Sequence, residues 1–246
     1  PGSMSGDSTS IFQEGLRIPP IRIMKKGKLI QDVMDVIMLN CRTAFERTGD
    51  IMAQVAANTI GPERAIEVIN KYGRDTVLSG MEELMNYGER KMRAGIREIP
   101  NGTYEFEDYM DDDGIDIGKR VPIHLKLTVR DDSVYLDFTG TAPQVKGAVN
   151  VVENALKATV YYAMKSIIDP KLPPNGGFYR AIEIYAPKGT LVNPKAPGAC
   201  GARTDACQRV ANVVFGAMAQ VVPKQVMAGC NSAVTTVIFS GNDEKN

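Results

Sequence analysis

Between Leu29 and Leu39 the apolar residues fall at Val33, Val36 and Ile37, a spacing that predicts an amphipathic helix. A second helical period follows around Phe45, Ile51, Met52, Val55 and Ala56. Gly61-Pro62-Glu63 predicts the opening of a third helix, because a proline in the first turn loses no hydrogen bond. Gly73 suits the left-handed position that closes it. The longest helix is expected from about Asp75 to Glu98, with Met81, Leu84, Gly88, Met92 and Ile96 along one face. Its polar face carries Glu82, Glu83, Glu89, Arg90, Lys91 and Arg93, a solvated surface laced with ion pairs, and Pro100 stops it.

Beyond Pro100 the period changes to two. Asn101-Gly102 signals a turn, and Thr103–Tyr109 alternates. Val121, Ile123, Leu125, Leu127 and Val129 share one strand face, with His124, Lys126, Thr128 and Arg130 on the other; Asp131-Asp132-Ser133 joins this strand to Val134–Phe138. After the turn-rich stretch Gly140 to Gly147, helix is expected from about Asn150 to Ile168. Ala181–Ala186 reads as a strand, and Pro194–Arg203 as an irregular segment leading to a deeply buried helix, Asp205 to Val222, capped by Thr204. Residues 1–20, rich in Gly, Ser and Pro, read as an extended lead-in. The expected fold class is α+β: an extended arm plus helical portion over 1–100, then a sheet-containing portion over 101–246 in which helices pack on an antiparallel sheet.

Composition narrows the function. Lys+Arg and Asp+Glu both number 29, so no bulk field draws the chain to nucleic acid or to an anionic membrane. The four cysteines, at 41, 200, 207 and 230, show no CxxC spacing and read as reduced thiols. No run of about eighteen apolar residues occurs, and the start PGSMSGDSTS lacks a signal-peptide layout, so a soluble cytoplasmic chain is expected.

Asp111-Asp-Asp-Gly114-Ile-Asp116 clusters carboxylates that could hold a hard cation, but the calcium-loop template puts Tyr109 and Arg120 where it requires acids. An acidic hairpin tip or partner-facing loop is the expectation. Gly114 to Arg120 is one residue short of a phosphate-binding loop and lacks its Ser/Thr. His124, the sole histidine, reads as a surface residue on a regular strand face. Gly198-Ala-Cys-Gly-Ala-Arg-Thr-Asp205 is the sharper candidate. Its small residues let a ligand approach the backbone, the helix start offers N–H groups to an anion, and Arg203 can add a bidentate grip. Arg203, Thr204 and Asp205 are therefore the candidate substrate-binding residues. Cys200 or Cys207, near that helix dipole, could have a lowered pKa and act as a nucleophile; the competing reading is tight backbone packing with inert thiols.

Several stretches resemble hydantoinase B / oxoprolinase family subunits: Ile11-Phe-Gln-Glu-Gly-Leu-Arg-Ile-Pro-Pro20, Gly49-Asp-Ile-Met-Ala-Gln-Val-Ala-Ala-Asn58, Gly102-Thr-Tyr-Glu with Asp111-Asp-Asp-Gly114, and Asp137-Phe-Thr-Gly-Thr141. Asn175-Gly-Gly, Pro187-Lys-Gly-Thr-Leu-Val-Asn-Pro194 and the helix after Thr204 extend the resemblance over nearly the whole chain. It implies a cytoplasmic, heteromeric, ATP-dependent enzyme that opens a hydantoin or 5-oxoproline ring, of which this chain is a central fragment, inactive alone. A hydantoinase A type ATP-binding subunit or domain would phosphorylate the amide oxygen, and the B part would help open the activated ring. ATP and a divalent metal are expected in the full complex, not on this chain, and oligomerisation is expected. Ketone carboxylases for acetone and acetophenone resemble the same pair, and a scaffold module without chemistry is the third reading.

Overall fold

The computed structural model describes residues 5–233, so the first four residues of the expected lead-in, and 234–246, lie outside the described residues. The chain divides into two compact units, one of Gly15–Asn86 and one of Pro1–Glu14 with Tyr87–Asn246.

In the Gly15–Asn86 unit, strands β1 (Met24–Lys25) and β2 (Lys28–Leu29) form a hairpin. Its turn residues Lys26 and Gly27 both have positive φ, which matches the twist of a two-residue hairpin loop. Helix α1 (Gln31–Leu39) buries Met34 and Ile37. The expected second and third helices are one: α2 runs unbroken from Ala44 to Tyr72 with Pro62 inside it, and at 29 residues it is longer than the 24-residue α3 (Arg74–Arg97). Pro62 withholds the N–H that would reach the Asn58 carbonyl, yet the helix passes through because none of α2 is buried and water can take that carbonyl. The penalty is about 3 kcal/mol for Pro62 and about 1 kcal/mol for each of Gly49 and Gly61. Gly73, at φ +83°, ends α2 by donating its N–H to Ile69.

The unit boundary falls within α3. Of the face expected to be apolar, Gly88, Met92 and Ile96 are buried, whereas Met81 and Leu84 are 59% and 63% exposed. The pattern is continuous along the helix, but only its second half meets a core. The charged face ties α3 to other elements: Arg93 bonds both Glu89 and Asp132, Arg97 reaches Asp132, and Arg180 reaches Glu89.

The larger unit is built on β3 (Gly102–Met110), β4 (Val121–Arg130), β5 (Ser133–Asp137) and β6 (Ile182–Tyr185), in that order across the sheet. β3, β4 and β5 form the expected antiparallel meander, but β6 joins β5 in parallel. The reason is the crossover: α4 (Glu153–Ile168) carries the chain back, so β6 enters in the direction of β5. α4 and α5 (Arg203–Ala219) pack on each other, and α5 packs on β3 and β4. The core joins the inward residues of β4 to Met92 and Ile96 of α3, Leu156 and Val160 of α4 and Val210 and Val214 of α5. Fully burying each large apolar side chain contributes roughly 1.5–3 kcal/mol. The fold class is α+β, as expected. Among the described residues no helix is long and apolar enough to cross a membrane.

Candidate functional site

The topology sends three long connections out of one end of the sheet: residues 111–120 between β3 and β4, 138–152 after β5, and 186–202 after β6. Two buried polar side chains lock them together. Asn150, expected to begin α4, is fully buried ahead of it; its amide nitrogen donates to the carbonyls of Val145, Gly147 and Ala199, and its oxygen accepts from the N–H of Val145. Asp113 accepts from the N–H groups of Ile115 and Asp116 at one oxygen and Gly147 at the other. Burial by itself pushes the Asp113 carboxyl up, but the N–H groups of Gly147, Asp116 and Ile115 outweigh it and hold it below the ordinary aspartate range. Gly147 is required at this junction, since a Cβ there would stand 1.8 Å from the Asp113 carbonyl oxygen.

The acidic cluster is thereby accounted for. Asp112 accepts from the N–H groups of Gly114 and Gly118, and Asp116 pairs with Lys146 at 2.9 Å. With Asp112, Asp113 and Asp116 committed to N–H groups and a lysine, this loop does not fit a divalent cation. Among the described residues no group of three or more His, Cys, Asp or Glu side chains could hold a metal ion. Lys119, Arg120, Gln144 and Lys146 line a cleft of about 210 Å³ beside it. His124 is part of the strand scaffold: its Nδ1 lies 2.8 Å from the Thr139 carbonyl, and its ring packs on Gly140, which has φ +100°.

The Gly198–Asp205 segment holds an anion, and the anion is the chain's own. The Glu14 carboxylate accepts from the N–H groups of Cys200 at 2.7 Å and Gly201 at 2.5 Å, while Ile11 donates its N–H to Pro197 nearby. Small residues leave these backbone groups approachable, as the sequence of the segment implies. The helix start is shifted, however. α5 begins at Arg203 with Ala202 at its N-cap, so Thr204 lies inside the first turn and caps nothing, and no side chain replaces it. Arg203 bonds back to the Cys200 carbonyl at 3.3 Å; Thr204 is exposed and Asp205 half-buried. The three residues are neighbours on that first turn, immediately after the N–H groups that grip Glu14.

Of the two readings of the cysteines, the surroundings favour inert thiols over an activated nucleophile. Burial pushes the Cys200 thiol up, the Glu14 charge adds to it, and Arg203 offsets only part. Burial likewise raises Cys207, against smaller opposing effects of a Thr159 hydrogen bond and Arg203. Both shifts run away from the thiolate, the form that attacks. Sequence reasoning also missed Glu14 and Asn150. A glutamate within a Gly/Ser/Pro-rich lead-in and an asparagine ahead of a helix carry no local sign of partners 186 and 49 residues away.

The sequence model of the family Hydantoinase B/oxoprolinase matches residues 1–246. The B-type component of a putative D-/L-hydantoinase from Pseudomonas sp. strain NS671 is 38% identical over 98% of this chain and 42% of the relative. The crystal structure of ATP-dependent caprolactamase from Pseudomonas jessenii superposes with a TM-score of 0.81 at 30% identity, covering 89% of this chain and 38% of that one. Nucleotide-free acetone carboxylase shares the fold, with a TM-score of 0.83 at 18% identity over 93% of this chain and 32% of that one. The chain spans about two fifths of the length of the hydantoinase and caprolactamase relatives it matches, and about one fifth of that of the 5-oxoprolinases. From its matched length and its likeness to these proteins, the chain belongs to the hydantoinase B/oxoprolinase family.

Proposed function

We propose that the gene product carrying these residues is the B-type component of an ATP-dependent cyclic amide hydrolase, opening a hydantoin, 5-oxoproline or related lactam ring with a hydantoinase A type subunit. In support, relatives that align with nearly the whole chain are named for hydantoin and caprolactam, both cyclic amides, and are named as subunits. The proposed division of labour gives ATP, its metal and amide-oxygen phosphorylation to the A-type partner, and stabilisation of the opening ring to this chain.

The observation that carries the site is the seating of Glu14 on the N–H groups of Cys200 and Gly201. An oxyanion or phosphoryl oxygen that displaces Glu14 meets the same two donors, fixed in place before it arrives, with Arg203 one turn away to share the charge. Thr204 and Asp205 supply polar contacts at the rim of the same turn.

The test is substrate-stimulated ATP turnover by the gene product with its A-type partner, against hydantoins, 5-oxoproline, caprolactam and ketones. Turnover with a cyclic amide, reduced about 100-fold in kcat/KM by Arg203→Gln with assembly intact, is the expected result. ATP consumption that needs a ketone and bicarbonate would overturn the hydrolase reading in favour of a carboxylase. Unchanged turnover in both Arg203→Gln and Asp205→Asn would remove the site assignment and leave this region a scaffold.

A further inference from the structure

In the larger unit α5 packs on the sheet, and the residues of β4, β5 and β6 that alternate with the core residues form the opposite face. Strand register sets them in rungs. Arg130 stands opposite Ser133, and one rung further Thr128 stands opposite Tyr135, which is level with Glu183 of β6. With Arg93 and Arg180 these side chains line a cleft of about 540 Å³.

The sign of charge changes along the cleft. Beside the turn between β4 and β5, Arg93 bonds Asp132 of that turn and the carbonyl of Arg180, which gathers Arg93, Arg180 and Arg130 at one end. Carboxylates are fewer there. Glu89 and Asp132 between them hold Arg93, Arg97 and Arg180, Asp131 is taken by Asn101, and Arg130 makes no ion pair with a described residue. Two residues further along β5 stands the acidic end. Glu183 is exposed and likewise makes no ion pair with a described residue, and Asp137 follows on the next rung, where it accepts from Thr139. Lys126, opposite Asp137, points its ammonium to Glu105 at 3.8 Å. Burial, then the Asp137 and Glu183 charges, push the Tyr135 hydroxyl above its ordinary range, so between the two ends it stays a donor at neutral pH.

We propose that this cleft binds an ω-amino acid, with its carboxylate on the guanidinium end at Arg130 and its ammonium at Glu183. Guanidinium forks match a carboxylate in geometry as well as charge, and an exposed glutamate answers an ammonium. A phosphate would be repelled at Glu183, and a diamine at the arginines. One rung along a strand is about 6.6 Å, and Arg130 and Glu183 also lie two strands apart, so the two charges of the ligand must be separated by a chain of several bonds. Opening a lactam ring with water leaves a carboxylate and an amine on one such chain. That the ligand is of the product class rests on the proposed function; the charge complementarity of the cleft does not.

The test is calorimetric titration of the gene product with 6-aminohexanoate, and with hexanoate and hexylamine, which each lack one of its charges. Both single-charge probes are expected to bind about 10-fold more weakly or worse. Glu183→Gln is expected to weaken 6-aminohexanoate about 10-fold while leaving hexanoate unweakened, and Arg130→Gln to weaken both acids. Both substituted side chains are exposed, and an unchanged melting temperature checks that the variants fold. Binding is expected to persist in Arg203→Gln, which separates this cleft from the Gly198–Asp205 segment. Binding here without lactam turnover would sink the proposed function and keep the cleft assignment; turnover without binding here would do the reverse. No binding of 6-aminohexanoate at about 10 mM, equal binding of hexanoate, indifference to both cleft variants, or loss of binding in Arg203→Gln would overturn the proposal.

Discussion

β4 and α2 are both apolar-patterned segments, and they end in opposite environments. In β4, Val121, Ile123, Leu125, Leu127 and Val129 are all buried, and the alternate residues are not. In α2, Phe45 is 90% exposed and not one residue is buried. The difference lies in what covers each element. A strand in a meander receives neighbours from the adjoining sequence, and α5 closes the face of β4; a helix receives only what tertiary or quaternary structure brings. Periodicity reports which residues could form a face. It does not report whether a partner for that face exists.

The sharpest way to widen this contrast is at the loop cluster beside β4. Gly147→Ala must displace the backbone of Asp113, and a loss of at least about 4 kcal/mol, or failure to fold, is expected in chemical denaturation. Asp113→Asn turns an acceptor of three N–H groups into an amide and is expected to cost about 2–3 kcal/mol at pH 7. The folded Asp113 carboxyl sits below its ordinary value of about 3.9, so its contribution is fully present above that value. It fades as pH falls through the lower folded value, and the Asn variant should lack that acid-dependent component when unfolding is followed across pH 2–5.

Glu14→Gln is expected to cost about 1–2 kcal/mol, because a neutral oxygen accepts more weakly from the Cys200 and Gly201 N–H groups. Removing the Glu14 charge should also lower the Cys200 pKa, read as faster alkylation at pH 8, with burial still holding the thiol up. The smallest effect belongs to α2: Phe45→Ser should change the stability of the isolated chain by less than about 0.5 kcal/mol. A cost of about 3 kcal/mol or more there would erase the contrast, since that is the size expected for a buried aromatic.

Legibility in the sequence follows the range of the interactions. The meander from Gly102 to Asp137 was readable because alternation and the Asp131-Asp132 turn are local. The fusion of two expected helices at Pro62 was not, because whether proline breaks a helix depends on what the freed carbonyl meets, and burial decides that. The candidate anion-binding segment was visible in Gly198–Asp205, but its helix start was misplaced at Thr204, and its occupant, Glu14, came from the far end of the chain.

By itself, then, the sequence determined the α+β class, the family resemblance, the inward face of β4 and the backbone-rich segment before α5, since each depends on composition or on spacing within a few residues. Tertiary structure alone decided the parallel entry of β6, the upward shift of the Cys200 and Cys207 thiols, the conversion of an acidic cluster into a structural clasp, and the exposure of α2. Each of these turns on burial or on a partner distant in sequence, and desolvation and long-range hydrogen bonds are set only when the chain has closed on itself.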